Sequence, residues 1–271
     1  MRTRTPYHSL VALLALASFT PACRLHAQGP ATRASIFHAT LQEANTQTEE
    51  LSTDELKLLL ASGSVTLLDT RPHLEWAISH IPGAVNVAPK PGMAMSQYTS
   101  DVAEVGRHVG EDRARALVLY CNGPFCGKSK RVSADLIAAG YTNVRRYQLG
   151  APVWRALGGV MVTELDGIRY IREKDRTAVF IDVRDDAELA GGSLPGAIHL
   201  PRSKVLQGKD VGEVKAAKDD GRLPMEDHNT RIIVFGRDAE QARVVAEALA
   251  QEAFHNVSYY SGRLTDLLSV R

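Results

Sequence analysis

Two cysteines five positions apart, in Cys121-Asn-Gly-Pro-Phe-Cys-Gly-Lys-Ser129, are the residues best suited to chemistry in this sequence. The stretch follows the apolar run Ala116-Leu-Val-Leu-Tyr120 directly and leads into a helical pattern, Val132 to Ala139, that stops at Gly140. Cys121 therefore belongs at the carboxyl end of a buried strand, where open parallel sheets hold ligands and reacting groups. Gly123, Pro124 and Gly127 bend the chain tightly enough for successive N–H groups to turn inward as an anion-binding nest. A helix starting near Lys128 adds its positive end, and Lys128, Lys130 and Arg131 add charge. All of these favour a thiolate, so the expectation is a Cys121 thiol shifted toward its nucleophilic form. Such a group attacks soft electrophiles with anionic character, a sulfane sulfur for example. Competing readings are a structural cysteine at a strand end and a Cys121–Cys126 disulfide, which so short a loop would leave reducible. A metal site is disfavoured, because the pair has no His or Cys partner nearby in the sequence. No metal and no cofactor are expected.

Elements that position this loop are legible around it. Ser52-Thr-Asp-Glu55 is a capping-box pattern ahead of Leu56, Leu58, Leu59 and Leu60, so a helix starts there. Ser64 to Leu68 reads as a short buried strand ending at Asp69. The segment Leu67-Leu-Asp-Thr-Arg71 through Ile81-Pro-Gly-Ala-Val85 then aligns without a gap on Phe180-Ile-Asp-Val-Arg184 through Leu194-Pro-Gly-Ala-Ile198. Leu117 to Tyr120 pairs with Ile232 to Phe235 in the same way, and Tyr141 to Val144 with Phe254 to Val257. The offset of about 113 residues is the size of a domain rather than of a solenoid repeat. The organisation expected is a leader over residues 28–50 and two α/β domains, 51–158 and 159–271. Each domain alternates strands with helices, which implies a parallel sheet flanked by helices.

Leu68-Asp-Thr-Arg71, His80-Ile-Pro-Gly-Ala-Val-Asn86, the strand-end cysteine loop, and Tyr147-Gln-Leu-Gly150 with Trp154 together resemble the tandem rhodanese-domain proteins. The resemblance runs essentially from residue 51 to the end of the chain and implies an α/β protein that moves sulfane sulfur through a cysteine persulfide. Carried over by position, it makes Cys121 the catalytic persulfide carrier and Asn122, Gly123, Pro124, Phe125, Cys126 and Gly127 the substrate-binding loop. Asp69 and Arg71 become structural support, and His80 a packing or hydrogen-bonding residue. The implied partners are a small donor such as thiosulfate and a cyanide or thiol acceptor. Cys126 departs from the usual loop and reads as a resolving thiol, able to attack the persulfide and close a disulfide. The second repeat carries Gly236-Arg-Asp-Ala-Glu-Gln241 at the equivalent strand end, with Ser193 in place of His80, and is expected to be non-catalytic. A protein partner docking on that domain, in a sulfur-carrier or interaction module, is the competing class. A thiol–disulfide redox protein using Cys121 and Cys126 is the third. Phosphatases of related fold need an arginine six residues after the cysteine to grip phosphate, and Gly127 stands there.

The composition excludes several other classes. Of 271 residues, 44% are hydrophobic and 23% charged, a globular balance that argues against disorder and against a polytopic membrane protein. Lys and Arg total 32 against 31 Asp and Glu, so nothing points to a nucleic-acid partner. Arg2 and Arg4 ahead of the apolar run Leu10 to Phe19 read as a secretory signal peptide over residues 1–27. The run is too short to span a bilayer, which takes about 20 apolar residues. A periplasmic or secreted protein is therefore expected, with Thr20-Pro21 a poor context for a lipid anchor at Cys23.

Overall fold

The computed structural model describes residues 35–44, 46–88 and 100–270, so the expected signal peptide lies outside the described residues. The chain builds two parallel sheets in succession. In the first half come β1 (Glu49–Glu50), α1 (Thr53–Ala61), β2 (Thr66–Asp69), α2 (His73–Ile78), β3 (Val85–Asn86), α3 (Val102–Val109), β4 (Leu117–Tyr120), α4 (Gly127–Ala138), β5 (Val144–Tyr147) and α5 (Gly150–Ala156). The second half adds β6 (Met161–Thr163), α6 (Leu165–Lys174), β7 (Val179–Asp182), β8 (Ile198–His199), α7 (Gly212–Asp219), β9 (Ile232–Phe235), α8 (Ala239–Gln251), β10 (Val257–Tyr260) and α9 (Leu264–Leu268). The five-stranded sheets run β1-β5-β4-β2-β3 and β6-β10-β9-β7-β8, the same order in both halves. Every strand pair in them is parallel. The two α/β domains expected from the repeat are thus present.

The middle strands read as continuous apolar runs because helices cover both faces of each sheet. All four residues of β4 are buried, as are all four of β9. On one face of the first sheet Val118 and Tyr120 pack with Leu56, Ile81, Tyr147 and Trp154. On the other, Leu117 and Leu119 pack with Val105, Val132, Leu136 and Tyr141. The capping box at Ser52 forms in full, with Ser52 accepting from the Glu55 amide and Glu55 from the Ser52 amide.

One stretch differs from its sequence reading. Glu49–Glu50, inside the expected leader, forms an edge strand on β5, with Glu49 opposite Arg145 and Glu50 opposite Arg146. Two consecutive glutamates carry neither β propensity nor alternation. What recruits them is the neighbouring strand, and in particular the buried Arg146 discussed below.

Asp69 and Arg71 hold the end of β2. The Arg71 guanidinium donates to both Asp69 carboxylate oxygens and to the Ser79 carbonyl, with both side chains almost fully buried. The register sets Asp69 beside Tyr120, whose hydroxyl donates to Asp69 Oδ2 at 2.6 Å. In the second domain Asp182 and Arg184 repeat the pair, but Phe235 replaces the tyrosine. There the Ser193 hydroxyl donates to Asp182 Oδ2, also at 2.6 Å. Both domains satisfy the buried carboxylate with one extra hydroxyl, taken from different elements.

The domains meet along α2 and α6. Gly167 allows the closest approach, since a Cβ there would sit 2.0 Å from the Ala77 carbonyl oxygen. His80 exchanges backbone hydrogen bonds with Val162 of β6 at 2.9 and 2.8 Å, and its ring stacks on Trp76 at 4.5 Å between centroids. Burial pushes the His80 imidazole down to about 4, so it sits neutral in this contact.

Two measurements test these supports. Arg71→Ala leaves the Asp69 carboxylate buried without its counter-charge and is expected to cost about 3–5 kcal/mol by urea denaturation; a loss below about 1 kcal/mol would show that the pair is dispensable. For His80, the unfolded chain takes up a proton below about 6.5 that the folded ring resists until about 4. The stabilisation from neutral His80 is therefore complete above that window and lost as pH falls through it. His80→Gln should flatten the part of the stability–pH curve lying between those values, and an unchanged slope would assign it to other groups.

Candidate functional site

The cysteine loop stands on the end of β4 as its sequence implies. α4 begins at Gly127 with Cys126 as its N-cap residue, and the Cys126 amide closes a turn onto the Gly123 carbonyl at 2.9 Å. Two glycines make this path feasible. Gly123 has φ +97°, and Gly150, at φ +68°, lies against the loop so closely that a Cβ would fall 2.4 Å from both the Cys121 carbonyl oxygen and the Gly123 nitrogen. The Ala151 amide donates to the Cys121 carbonyl at 3.1 Å, so the start of α5 supports the loop from beneath.

The predicted loop residues separate into inner and outer groups. Cys121 is only 1% exposed, and Gly123 is buried with it. Pro124 and Cys126 are half-buried, while Asn122 and Gly127 are exposed. Asn122 donates from Nδ2 to Glu75 of α2, which ties the loop to the neighbouring crossover. Phe125 stands fully in solvent at the tip. Asp69 and Arg71 lie in the buried cluster at the adjacent strand end and give their hydrogen bonds to the fold. Both cysteines are free thiols. Among the described residues no group of three or more His, Cys, Asp or Glu side chains is arranged to hold a metal ion.

The electrostatics of the pair reverse the expectation for Cys121. Its sulfur lies 3.2 Å from the Cys126 carbonyl oxygen and 3.6 Å from Ser129 Oγ. The hydrogen bond it makes to the Cys126 sulfur, together with burial, pushes the Cys121 thiol up. The same bond lowers Cys126 to about 5, helped by the backbone amides of Lys128 and Asn122 and by the Lys128 charge. The helix start reaches both sulfurs, since the Ser129 amide and hydroxyl pull Cys121 the other way, but burial and the Cys126 partner outweigh them there. The two thiols titrate as a pair in which Cys126 is the one shifted toward the thiolate.

Behind Cys121 lies a buried polar chain that the sequence reading did not contain. Ser129 Oγ donates to Gln148 Oε1 at 3.2 Å, and Arg146 Nη1 donates to the same oxygen. Gln148 Nε2 donates to Glu43 Oε1 at 3.1 Å and to the Pro124 carbonyl at 3.5 Å. Arg146 is fully buried and is neutralised by Glu43 at 3.1 Å and Glu50 at 3.4 Å, with Thr48 accepting from Nε at 2.8 Å. Glu50 in turn accepts the amides of Leu41, Gln42 and Glu43. Gln148 follows β5, the strand beside β4, and that strand-end position is a signal that could have found it. Glu43 had none, lying in a stretch without periodicity.

The equivalent position of the second domain is closed. Only residues 236–238 separate β9 from α8, against 121–126 between β4 and α4. Gly236 stands where Cys121 stands in the first domain, and a Cβ on it would meet Gln241 Oε1 at 2.6 Å. That oxygen accepts the Arg237 amide at 2.7 Å, while Gln241 Nε2 and Arg237 Nη1 both reach Glu188, the counterpart of Glu75. A glutamine side chain fills the space that the cysteine loop encircles in the other half.

The rhodanese-like domain family matches residues 52–157 and 169–268. The chain belongs to the rhodanese-like family. Among curated proteins this rhodanese-like chain is 35% identical over 106 residues to an HTH-type transcriptional regulator of Mycobacterium tuberculosis, in a match covering 38% of the chain and 39% of the regulator. The chain therefore spans about two fifths of that relative's length. Similar solved structures include a thiosulfate sulfurtransferase from Pseudomonas aeruginosa, at 19% identity and TM-score 0.33, covering 81% of this chain and 44% of that one. Another is SseA from Escherichia coli, described with the 3-mercaptopyruvate sulfotransferases, at 19% identity and TM-score 0.34, covering 80% and 98%. The assignment rests on the family match and the repeated sheet order.

Gly150→Ala should tilt the loop off its support, because the added methyl meets backbone at both Cys121 and Gly123. A stability loss of about 1–3 kcal/mol is expected, together with faster reaction of Cys121 with a thiol reagent in the folded protein. Unchanged reactivity would show that the loop does not depend on this contact.

Proposed function

We propose that the protein is a sulfurtransferase whose first domain carries sulfur on Cys121 and whose second domain is non-catalytic. The observation that carries this reading is the contrast between the two strand ends. Both repeats belong to one family, and only the first offers a sulfur in a cradle, while the second fills the place with Gln241. The chemistry is a double displacement. Cys121 attacks the outer sulfur of a donor such as thiosulfate, sulfite leaves, and the resulting persulfide hands its terminal sulfur to cyanide or a thiol acceptor. The cradle favours small anionic donors, since Lys128 and the helix start face the loop mouth. Arg2, Arg4 and the apolar run Leu10 to Phe19 support a periplasmic or secreted site of action. Among the described residues no helix is long and apolar enough to cross a membrane.

A second reading is favoured by two free thiols on one turn, with the Cys121 sulfur 3.2 Å from the Cys126 carbonyl oxygen. In it Cys126 attacks the inner sulfur of the Cys121 persulfide, hydrosulfide leaves, and a disulfide closes until a reductant reopens it. Sulfide release with loss of both thiols would favour this route over transfer to an acceptor.

The test is intact mass of the reduced protein after thiosulfate treatment, where one added sulfur is expected. Cys121→Ser should abolish both the added sulfur and thiosulfate:cyanide turnover, because serine cannot hold a persulfide. Gln241→Ala in the second domain should leave turnover within about twofold of wild type. Turnover surviving in Cys121→Ser would overturn the assignment. Sulfur uptake without turnover would favour the carrier class.

A further inference from the structure

A sulfur buried as deeply as Cys121 needs hydrogen-bond donors around it whenever it carries charge. The Cys126 carbonyl oxygen, 3.2 Å away, is the opposite of one: it suits a thiol, whose proton it accepts, and opposes a thiolate. The Ser129 hydroxyl, at 3.6 Å, can take either part. The Ser129 amide acts on the same sulfur, and amide and hydroxyl both favour its charged form. No lysine or arginine among the described residues touches the Cys121 sulfur, and the Lys128 charge acts on Cys126. Apart from the Cys126 thiol, the donors within reach of Cys121 therefore all belong to Ser129.

The place of Ser129 in the helix makes those donors available. It is the third residue of α4, fully buried, where a helix supplies the amide no acceptor of its own. Gln241 holds the same position in α8, and there the Asp238 side chain caps the helix by accepting the Gln241 amide at 2.8 Å. Cys126 gives α4 no such side-chain cap. The hydroxyl, for its part, is able to turn, because the chain behind it does not depend on its proton. Arg146 has only protons to offer, so the Gln148 atom it meets is Oε1, while the Glu43 carboxylate holds Nε2. Oε1 also accepts from Ser129 at 3.2 Å, yet keeps Arg146 as its donor when the hydroxyl leaves. Of two acceptors in reach, a hydroxyl bonds more strongly to the charged one.

We propose that Ser129 is a catalytic residue of sulfur transfer, its hydroxyl donating to Gln148 while Cys121 is uncharged and turning to the Cys121 sulfur when that sulfur becomes a thiolate. The inference rests on the reading of Cys121 as the persulfide carrier. The step it serves is the second displacement. The carbon of cyanide bonds to the terminal sulfur of the anionic persulfide, the sulfur–sulfur bond breaks, and its electron pair goes to Cys121 Sγ. Thiocyanate leaves with the charge that cyanide brought, and the charge of the persulfide moves from its terminal sulfur to Cys121. The step balances without a proton or any further reactant. Negative charge thus arrives on a sulfur that water does not reach, and a donor that turns to meet it there stabilises the transition state more than the persulfide.

Single-turnover transfer decides this. Reduced protein is loaded with thiosulfate, freed of the donor and mixed with cyanide, and loss of the added sulfur is followed by quenched-flow intact mass. Ser129→Ala leaves Gln148 its Arg146 donor and should therefore fold, and it should transfer sulfur at least about tenfold more slowly than wild type. Ser129→Thr keeps the hydroxyl and should transfer at least about threefold faster than Ser129→Ala. Transfer at the wild-type rate in Ser129→Ala overturns the role of Ser129 alone, as does a slow Ser129→Ala that Ser129→Thr does not improve upon, which would assign the loss to packing. Loaded sulfur that cyanide cannot remove from wild type also overturns it. Absence of added sulfur on wild type overturns the sulfurtransferase reading and the role of Ser129 with it.

Discussion

A guanidinium sealed inside a protein must find counter-charge and acceptors for its donors, or the fold loses several kcal/mol. Arg146, with no exposed surface, imposes that requirement on the first domain. Glu50 meets part of it from the edge strand β1 and Glu43 from the segment before it, so residues upstream of the family match are drawn onto the sheet. The remaining donor goes to Gln148 and thereby orients its amide, whose oxygen also accepts the Ser129 hydroxyl beside Cys121. One buried charge thus links the edge of the sheet to the Cys121 loop.

The two halves show how a repeated scaffold separates its support from its chemistry. The Asp–Arg pair survives in both, because a carboxylate at the end of a buried strand needs its partner wherever it stands. The auxiliary hydroxyl was free to move, from Tyr120 on the neighbouring strand in one half to Ser193 on the crossover in the other. The loop itself diverged completely. A glycine and a shortened connection let α8 start early, and Gln241 then satisfies the backbone that the longer loop satisfies with its own turn.

Placement within the loop gives the two thiols different surroundings. The turn from Gly123 to Cys126 lifts the second cysteine toward solvent and the amide donors, while the first stays under it against α5. Phe125 at the tip packs against nothing in its own domain, since its side chain is fully exposed.

The sequence by itself determined the repeat, the two parallel sheets, the strand-end position of Cys121 and the vacancy at Gly236, because these follow from apolar runs, turn residues and local caps that act over a few positions. Ser52 and Glu55 show this best, since their pattern specified a helix start that forms as read. Only the tertiary structure decided the direction in which each thiol is shifted and which residues stand behind Cys121. Glu43, Arg146, Gln148 and Ser129 are far apart along the chain and meet because β5 lies between β1 and β4. The direction of a thiol's pKa depends on burial and on which amides point at it. Those are properties of packing, and a local pattern around Cys121 and Cys126 does not contain them.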